Sequence, residues 1–245
     1  MKLNKRSILF AAVILLITAM IQCGVYVTDY YRADRDAIVA FQQHQTVTKQ
    51  VLSDNTIAYV PHDAKQGIIF YPGGKVEVES YLPLMAEFAQ RGVLCVLIEM
   101  PGNLAVLDMD AAEGIREWFP DVETWYIGGH SLGGSMAASW AAENAGQLEG
   151  LVLLAAYSTE DLRETGLRVL SAYGSEDGVL DLENYEEYRG NLPKSVSETV
   201  IDGGNHACFG SYGPQDGDGT PRITAEQQMK ETAELLVDFF RGRAA

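Results

Sequence analysis

Apolar and polar positions change period several times along the chain, and these changes divide it into elements. Residues 7–27 carry no charge and are almost wholly apolar; as helix they would reach about 31 Å, enough for a hydrocarbon core of about 30 Å. A more polar run, 29–45, reads as a partly helical stalk. From Thr46 two extended runs, TVTKQVL and TIAYVP, flank Ser53, Asp54 and Asn55, which is a hairpin pattern. GIIFYPGG then reads as a buried strand ending in glycines, and Tyr81, Leu84, Met85, Phe88 and Ala89 repeat at helical spacing before Gly92. The alternation continues with the strand VLCVLIEM, a helix near Asp108 to Phe119 stopped by Pro120, the strand TWYIGG, a small-residue helix after Gly133 and the strand LVLLAA. LRVLSAY and SVSETVI supply two more strands, and Thr224 with Gln227 forms a capping-box signature ahead of Met229, Ala233, Leu236 and Phe240. A hairpin followed by repeated β-α exchange predicts an α/β fold. Its sheet is doubly wound, mostly parallel and of about eight strands, with helices on both faces and active groups at the C-terminal strand ends.

Composition narrows this picture. With 245 residues, 47% of them hydrophobic, the chain supports one substantial core, and the globular domain is expected over 46–245. The 18 basic and 34 acidic residues give a net charge of -16, which argues against nucleic acid and anionic membrane surfaces as partners. Lys2, Lys5 and Arg6 precede the apolar run, whereas Asp29, Asp34 and Asp36 are mixed with Arg32 and Arg35 after it. Residues 1–28 therefore read as a membrane anchor with an inside N-terminus and an extracytoplasmic globular part. A cleaved signal peptide is the alternative, although no A-x-A site follows, and a lipoprotein reading of Cys23 meets Gln22 where a small residue is wanted. Cys23, Cys95 and Cys208 are too few for a disulfide framework or a zinc site and read as packed thiols.

The most specific local signal is TWYIGGHSLGGSMAASWAA, where a strand enters Gly129-His130-Ser131-Leu132-Gly133 and a helix follows. This is the G-x-S-x-G elbow, in which glycines let strand and helix close on each other and a strained backbone projects the Ser131 hydroxyl. A serine hydroxyl needs a base to become a nucleophile. Of four histidines, His44 and His62 precede the central strands, and His130 adjoins Ser131 with its side chain directed elsewhere; His206, after SETVIDGGN, remains. A carboxylate must orient the imidazole, and YGSEDG offers Asp177, with Glu176 as immediate competitor. Asp181 and Asp202 read as solvated or helix-capping carboxylates. Two backbone donors complete an oxyanion site: Leu132, and Gly74 or alternatively Lys75 in FYPGGK. The loop 207–221 is expected to shape the pocket, with Asp216 and Asp218 solvated and no metal bound.

YPGG, GHSLGG, YGSEDG and GGNH, in that order over Thr46 to Arg241, resemble the α/β-hydrolase superfamily. The chain looks closest to compact bacterial members of the dienelactone-hydrolase-like and carboxylesterase-like kind, some of which carry an N-terminal membrane segment. The resemblance implies hydrolysis of an ester or similar acyl bond without a cofactor. Amide or thioester hydrolysis, or acyl transfer, are alternatives on the same triad, and a tethered binding protein on a degenerate scaffold is the non-enzymatic one. Two departures matter. Ser131 stands where dienelactone hydrolases have cysteine, and the short stretch Tyr157 to Gly166 leaves little room for a lid, which points to a small or medium substrate rather than a large lipid.

Overall fold

The computed structural model describes residues 5–42, 47–53 and 55–242. Lys2, His44, Thr46, Asp54 and the end of the 29–45 run lie outside the described residues. The chain divides into two compact units, Met1–Tyr30 and Tyr31–Ala245. The first contains helix α1 (Lys5–Thr28), whose stretch Leu9–Tyr26 is long and apolar enough to cross a membrane. The large side chains of Leu9–Tyr26 are exposed, and so is Cys23, which is therefore not packed against protein.

The second unit opens with α2 (Arg35–Gln42) and the hairpin β1 (Lys49–Ser53) and β2 (Thr56–Tyr59). Then follow β3 (Gln66–Tyr71), α3 (Leu82–Gln90), β4 (Val93–Ile98), β5 (Thr124–His130), α4 (Leu132–Glu143) and β6 (Gly150–Leu154). β7 (Arg168–Gly174), α5 (Leu182–Tyr188), β8 (Ser197–Ile201) and α6 (Ala225–Phe240) complete it. The eight strands form one sheet in the order β1-β2-β4-β3-β5-β6-β7-β8, antiparallel only at β1-β2 and β2-β4.

Continuous apolar runs form the central strands because helices cover both faces. Along β3 the side chains alternate: Ile68 and Phe70 enter a core with Phe88 of α3 and Leu236 of α6, while Ile69 and Tyr71 enter another with Ala137 and Trp140 of α4. The expected capping box at Thr224 and Gln227 starts α6.

Three segments differ from the sequence reading. The supposed stalk joins the folded unit from Tyr31 onward. Tyr31 N–H donates to the Lys75 carbonyl at 2.8 Å and its own carbonyl accepts from Glu77 N–H at 2.9 Å, a bridge with Val76. Ala33 and Ile38 are buried in the first core. Burying a side chain the size of Ile38 contributes about 1.5–3 kcal/mol, which a solvated stalk would forgo. Second, Asp108 to Phe119 forms turns ending in a short 3-10 helix, Ile115–Trp118, rather than an α-helix. Gly114 there takes φ 75°, and the Tyr71 hydroxyl holds the turn between the Met109 carbonyl (2.8 Å) and Ala112 N–H (2.9 Å). Third, α5 follows Asp181, a helix absent from the sequence reading.

Candidate active site

β5 runs directly into Ser131, whose φ of 52° and ψ of -126° lie where side-chain-bearing residues rarely settle. Its neighbours enforce the turn. Ser131 N–H donates to the Leu154 carbonyl at 2.9 Å. A Cβ on Gly133 would stand 2.1 Å from the Pro72 carbonyl oxygen, and one on Gly129 2.5 Å from the Gly133 carbonyl carbon. Glycine is thus the residue that lets β5, the turn and α4 close against the end of β3.

Asp177 follows β7 and lies beside His206. Its carboxylate accepts Val179 N–H at 2.9 Å and Leu180 N–H at 2.8 Å on Oδ1, and its two oxygens stand 3.1 and 2.9 Å from His206 Nδ1. Both side chains are almost fully buried, 2% exposed for His206 and 1% for Asp177. A carboxylate only accepts, so Nδ1 carries the proton and Nε2 of the neutral ring keeps a lone pair. That Nε2 is buried and has no hydrogen-bond partner among the described residues. Glu176 is occupied elsewhere, 3.0 Å from Arg222 Nε, and Asp202 meets the same guanidinium at 2.6 Å. Asp181 caps α5 by accepting Asn184 N–H at 3.0 Å. His62 is exposed and pairs with Asp63.

Ser131 and His206 line one cleft of about 250 Å³, walled by Tyr157, Val179 and Leu180. Gly74 and Leu132 touch: a Cβ on Gly74 would lie 2.8 Å from Leu132 Cδ2. Neither backbone N–H of that pair donates to an acceptor among the described residues, whereas Lys75 N–H is taken by the Asn103 carbonyl at 2.8 Å.

A family model described as the alpha/beta hydrolase family matches residues 67–230, more than half of the chain. The chain belongs to the α/β-hydrolase family. Among solved structures, TT1662 from Thermus thermophilus is 17% identical, with 81% of this chain and 98% of that one covered and a TM-score of 0.60. A predicted CIB-like hydrolase from Thermoplasma acidophilum is 16% identical over 80% of this chain and 99% of that one, TM-score 0.58. Est1E from Butyrivibrio proteoclasticus is 14% identical over 80% and 99%, TM-score 0.57. At such identities the likeness is one of fold. No curated protein matches the chain.

Several residues around the site of this α/β-hydrolase escaped the sequence reading. His130 does not point away from the site. Its ring centroid lies 4.5 Å from that of His206, and its Nδ1 lies 2.8 Å from the Tyr81 hydroxyl, which also accepts Gly73 N–H at 3.0 Å. The phenol is thus hydrogen-bonded to both the Gly73 amide and the His130 ring. Burial, helped by the neighbouring His206, holds the His130 pKa well below the usual histidine range, and burial raises that of Tyr81. Gln228 of α6, fully buried, clamps Asn205 by accepting its N–H at 2.9 Å and donating to its carbonyl at 2.8 Å. Neither role had a sequence signal, since both depend on which side chains meet across the fold.

Two expectations for the loop 207–221 also change. None of its residues lines the cleft. Asp218, read as solvated, is half-buried and bonded to backbone amides, while Asp216 is exposed and its N–H donates to the Tyr31 hydroxyl at 3.1 Å. Cys208 is buried as expected, and burial together with the Asp218 charge pushes its thiol pKa up to about 11, which removes the thiolate a nucleophile would need.

Proposed function

We propose that the protein is a serine hydrolase that cleaves a carboxylic ester or similar acyl bond of a small to medium substrate through an acyl-enzyme. Ser131 serves as nucleophile, His206 as base and Asp177 as the acid that orients it. The observation that carries this reading is the buried Asp177–His206 pair: His206 lines the same cleft as the strained Ser131, and its Nε2 has no hydrogen-bond partner among the described residues.

In this mechanism Ser131 Oγ attacks the acyl carbon as Nε2 takes its proton, and Asp177 stabilises the resulting imidazolium. The developing oxyanion receives hydrogen bonds from Leu132 and Gly74, whose N–H groups are uncommitted among the described residues, while Lys75 N–H is taken by the Asn103 carbonyl. Each such donor is worth about 3 kcal/mol in the transition state. The imidazolium then protonates the leaving alcohol, and water activated by the same nitrogen releases the acid. The step draws on no cofactor. A cleft of about 250 Å³ favours short acyl chains, and α1 is read as tethering the catalytic unit to a membrane on its extracytoplasmic side, a cleaved signal peptide being the alternative.

A fluorophosphonate probe tests the chemistry: the wild type labels at Ser131, and Ser131→Ala loses both labelling and hydrolysis of p-nitrophenyl acetate. An unlabelled wild type would sink the reading. With p-nitrophenyl esters of increasing length, kcat/KM is expected to fall beyond short chains; a steady rise toward long ones would overturn the size assignment.

A further inference from the structure

The DGDG run, Asp216–Gly219, contributes nothing to the chemistry proposed above, yet it is pressed against the loop that carries Asp177. A Cβ on Gly219 would stand 2.0 Å from the Glu176 carbonyl oxygen, and one on Gly178 would stand 2.6 Å from that of Gly217. Such an approach of two main chains needs glycine on both sides. On the other flank, Asn205 Nδ2 donates to the Gly219 carbonyl at 2.8 Å.

At this junction a single carboxylate collects four backbone donors. Asp218 Oδ1 accepts from Gly178 at 3.1 Å, from His206 at 3.2 Å and from Gly219 at 2.9 Å, and Oδ2 accepts from Ala207 at 2.9 Å. Gly178 follows Asp177 in the chain; His206 and Ala207 belong to the histidine loop. Asp177 is braced by its own loop through Val179 and Leu180, and Asn205 by Gln228. Asp218 spans the two. The residue type fits this task, because four N–H groups require a group that only accepts, and an amide would set an NH2 against one of them.

We propose that Asp218 is a positioning residue: it fixes the His206 backbone relative to that of Asp177 and thereby holds the imidazole in place for Ser131. This rests on His206 being the base. The Asp177–His206 contact joins two side chains, and it sets the ring only while the two main chains keep their spacing. A misplacement of 1 Å at a reacting group costs up to about a hundredfold in rate.

The test uses Asp218→Asn and Asp218→Ala in the full chain, assayed well below their melting temperatures. With a short p-nitrophenyl ester, kcat should fall about tenfold in the Asn variant and about a hundredfold in the Ala variant, with KM within about twofold. The fluorophosphonate labelling rate should fall in parallel. Nitrogen NMR of the His206 ring, assigned by its loss in His206→Gln, should show one tautomer in the wild type and mixed tautomers in Asp218→Ala. Should the Ala variant not fold, the Asn variant decides. Variants that melt earlier but keep kcat and the single tautomer would reduce Asp218 to a structural brace and overturn the proposal. A rise in KM with kcat intact would overturn it too. If the wild type neither labels nor hydrolyses, the reading of Ser131 as nucleophile fails, and the tautomer measurement alone then judges Asp218.

Discussion

At the scale of single residues, the buried histidine beside Ser131 has a consequence for stability. His130 is 1% exposed and its pKa is held well below the usual range, chiefly by burial. In the unfolded chain the same imidazole takes up a proton near pH 6.5. Below that pH the unfolded state binds more protons than the folded one, so stability falls as pH drops, by at most about 1.4 kcal/mol per unit from this group. Urea midpoints measured from pH 7 to 5 should show that decline, and His130→Gln should flatten part of it; parallel curves for the two proteins would contradict the assignment. Ser131 shows what a sequence does reveal at this scale. Its strained backbone is legible because the tight closure of strand on helix that imposes it demands glycines at fixed offsets, and 129 and 133 provide them. Nothing comparable marks His130 or Tyr81, whose meeting is a matter of two distant elements.

At the scale of elements, hydrophobic period and caps located all eight strands and three of the helices in the folded unit, because most of these segments bury one face or both, while β1, exposed or half-buried throughout, is legible from the hairpin pattern. The capping box of α6 is a case in which local chemistry acts alone: the Thr224 side chain accepts Gln227 N–H at 3.1 Å and Gln227 Oε1 accepts Thr224 N–H at 2.9 Å. Thr224→Ala should lower stability by about 1 kcal/mol and the melting temperature by about 2–4 °C. Calorimetry checks this, and an unchanged transition would mean the first turn of α6 is held by packing alone. Where period and local conformation conflict, conformation prevails. Asp108 to Phe119 has the composition of a helix, but Gly114 takes a positive φ and the Tyr71 hydroxyl occupies the backbone groups of Met109 and Ala112. The sequence of that segment alone does not disclose a tyrosine arriving from β3.

At the scale of the whole molecule, topology and family were readable from the order of motifs, whereas the extent of the folded unit was not. Polar residues between the apolar run and the first strand resemble a spacer. What overrules them is a strand-like bridge between Tyr31 and Val76, with Glu77 accepting Ala33 N–H at 2.7 Å and Asp34 N–H reaching the Ser211 carbonyl at 2.8 Å. Val76 lies two positions after Gly74, the donor assigned to the oxyanion. Trimming the protein for solution work back to Lys49, where β1 begins, would therefore strip the backing from the very turn on which transition-state stabilisation is proposed to depend. A soluble version that begins at Asp29 keeps that brace and discards only the apolar helix.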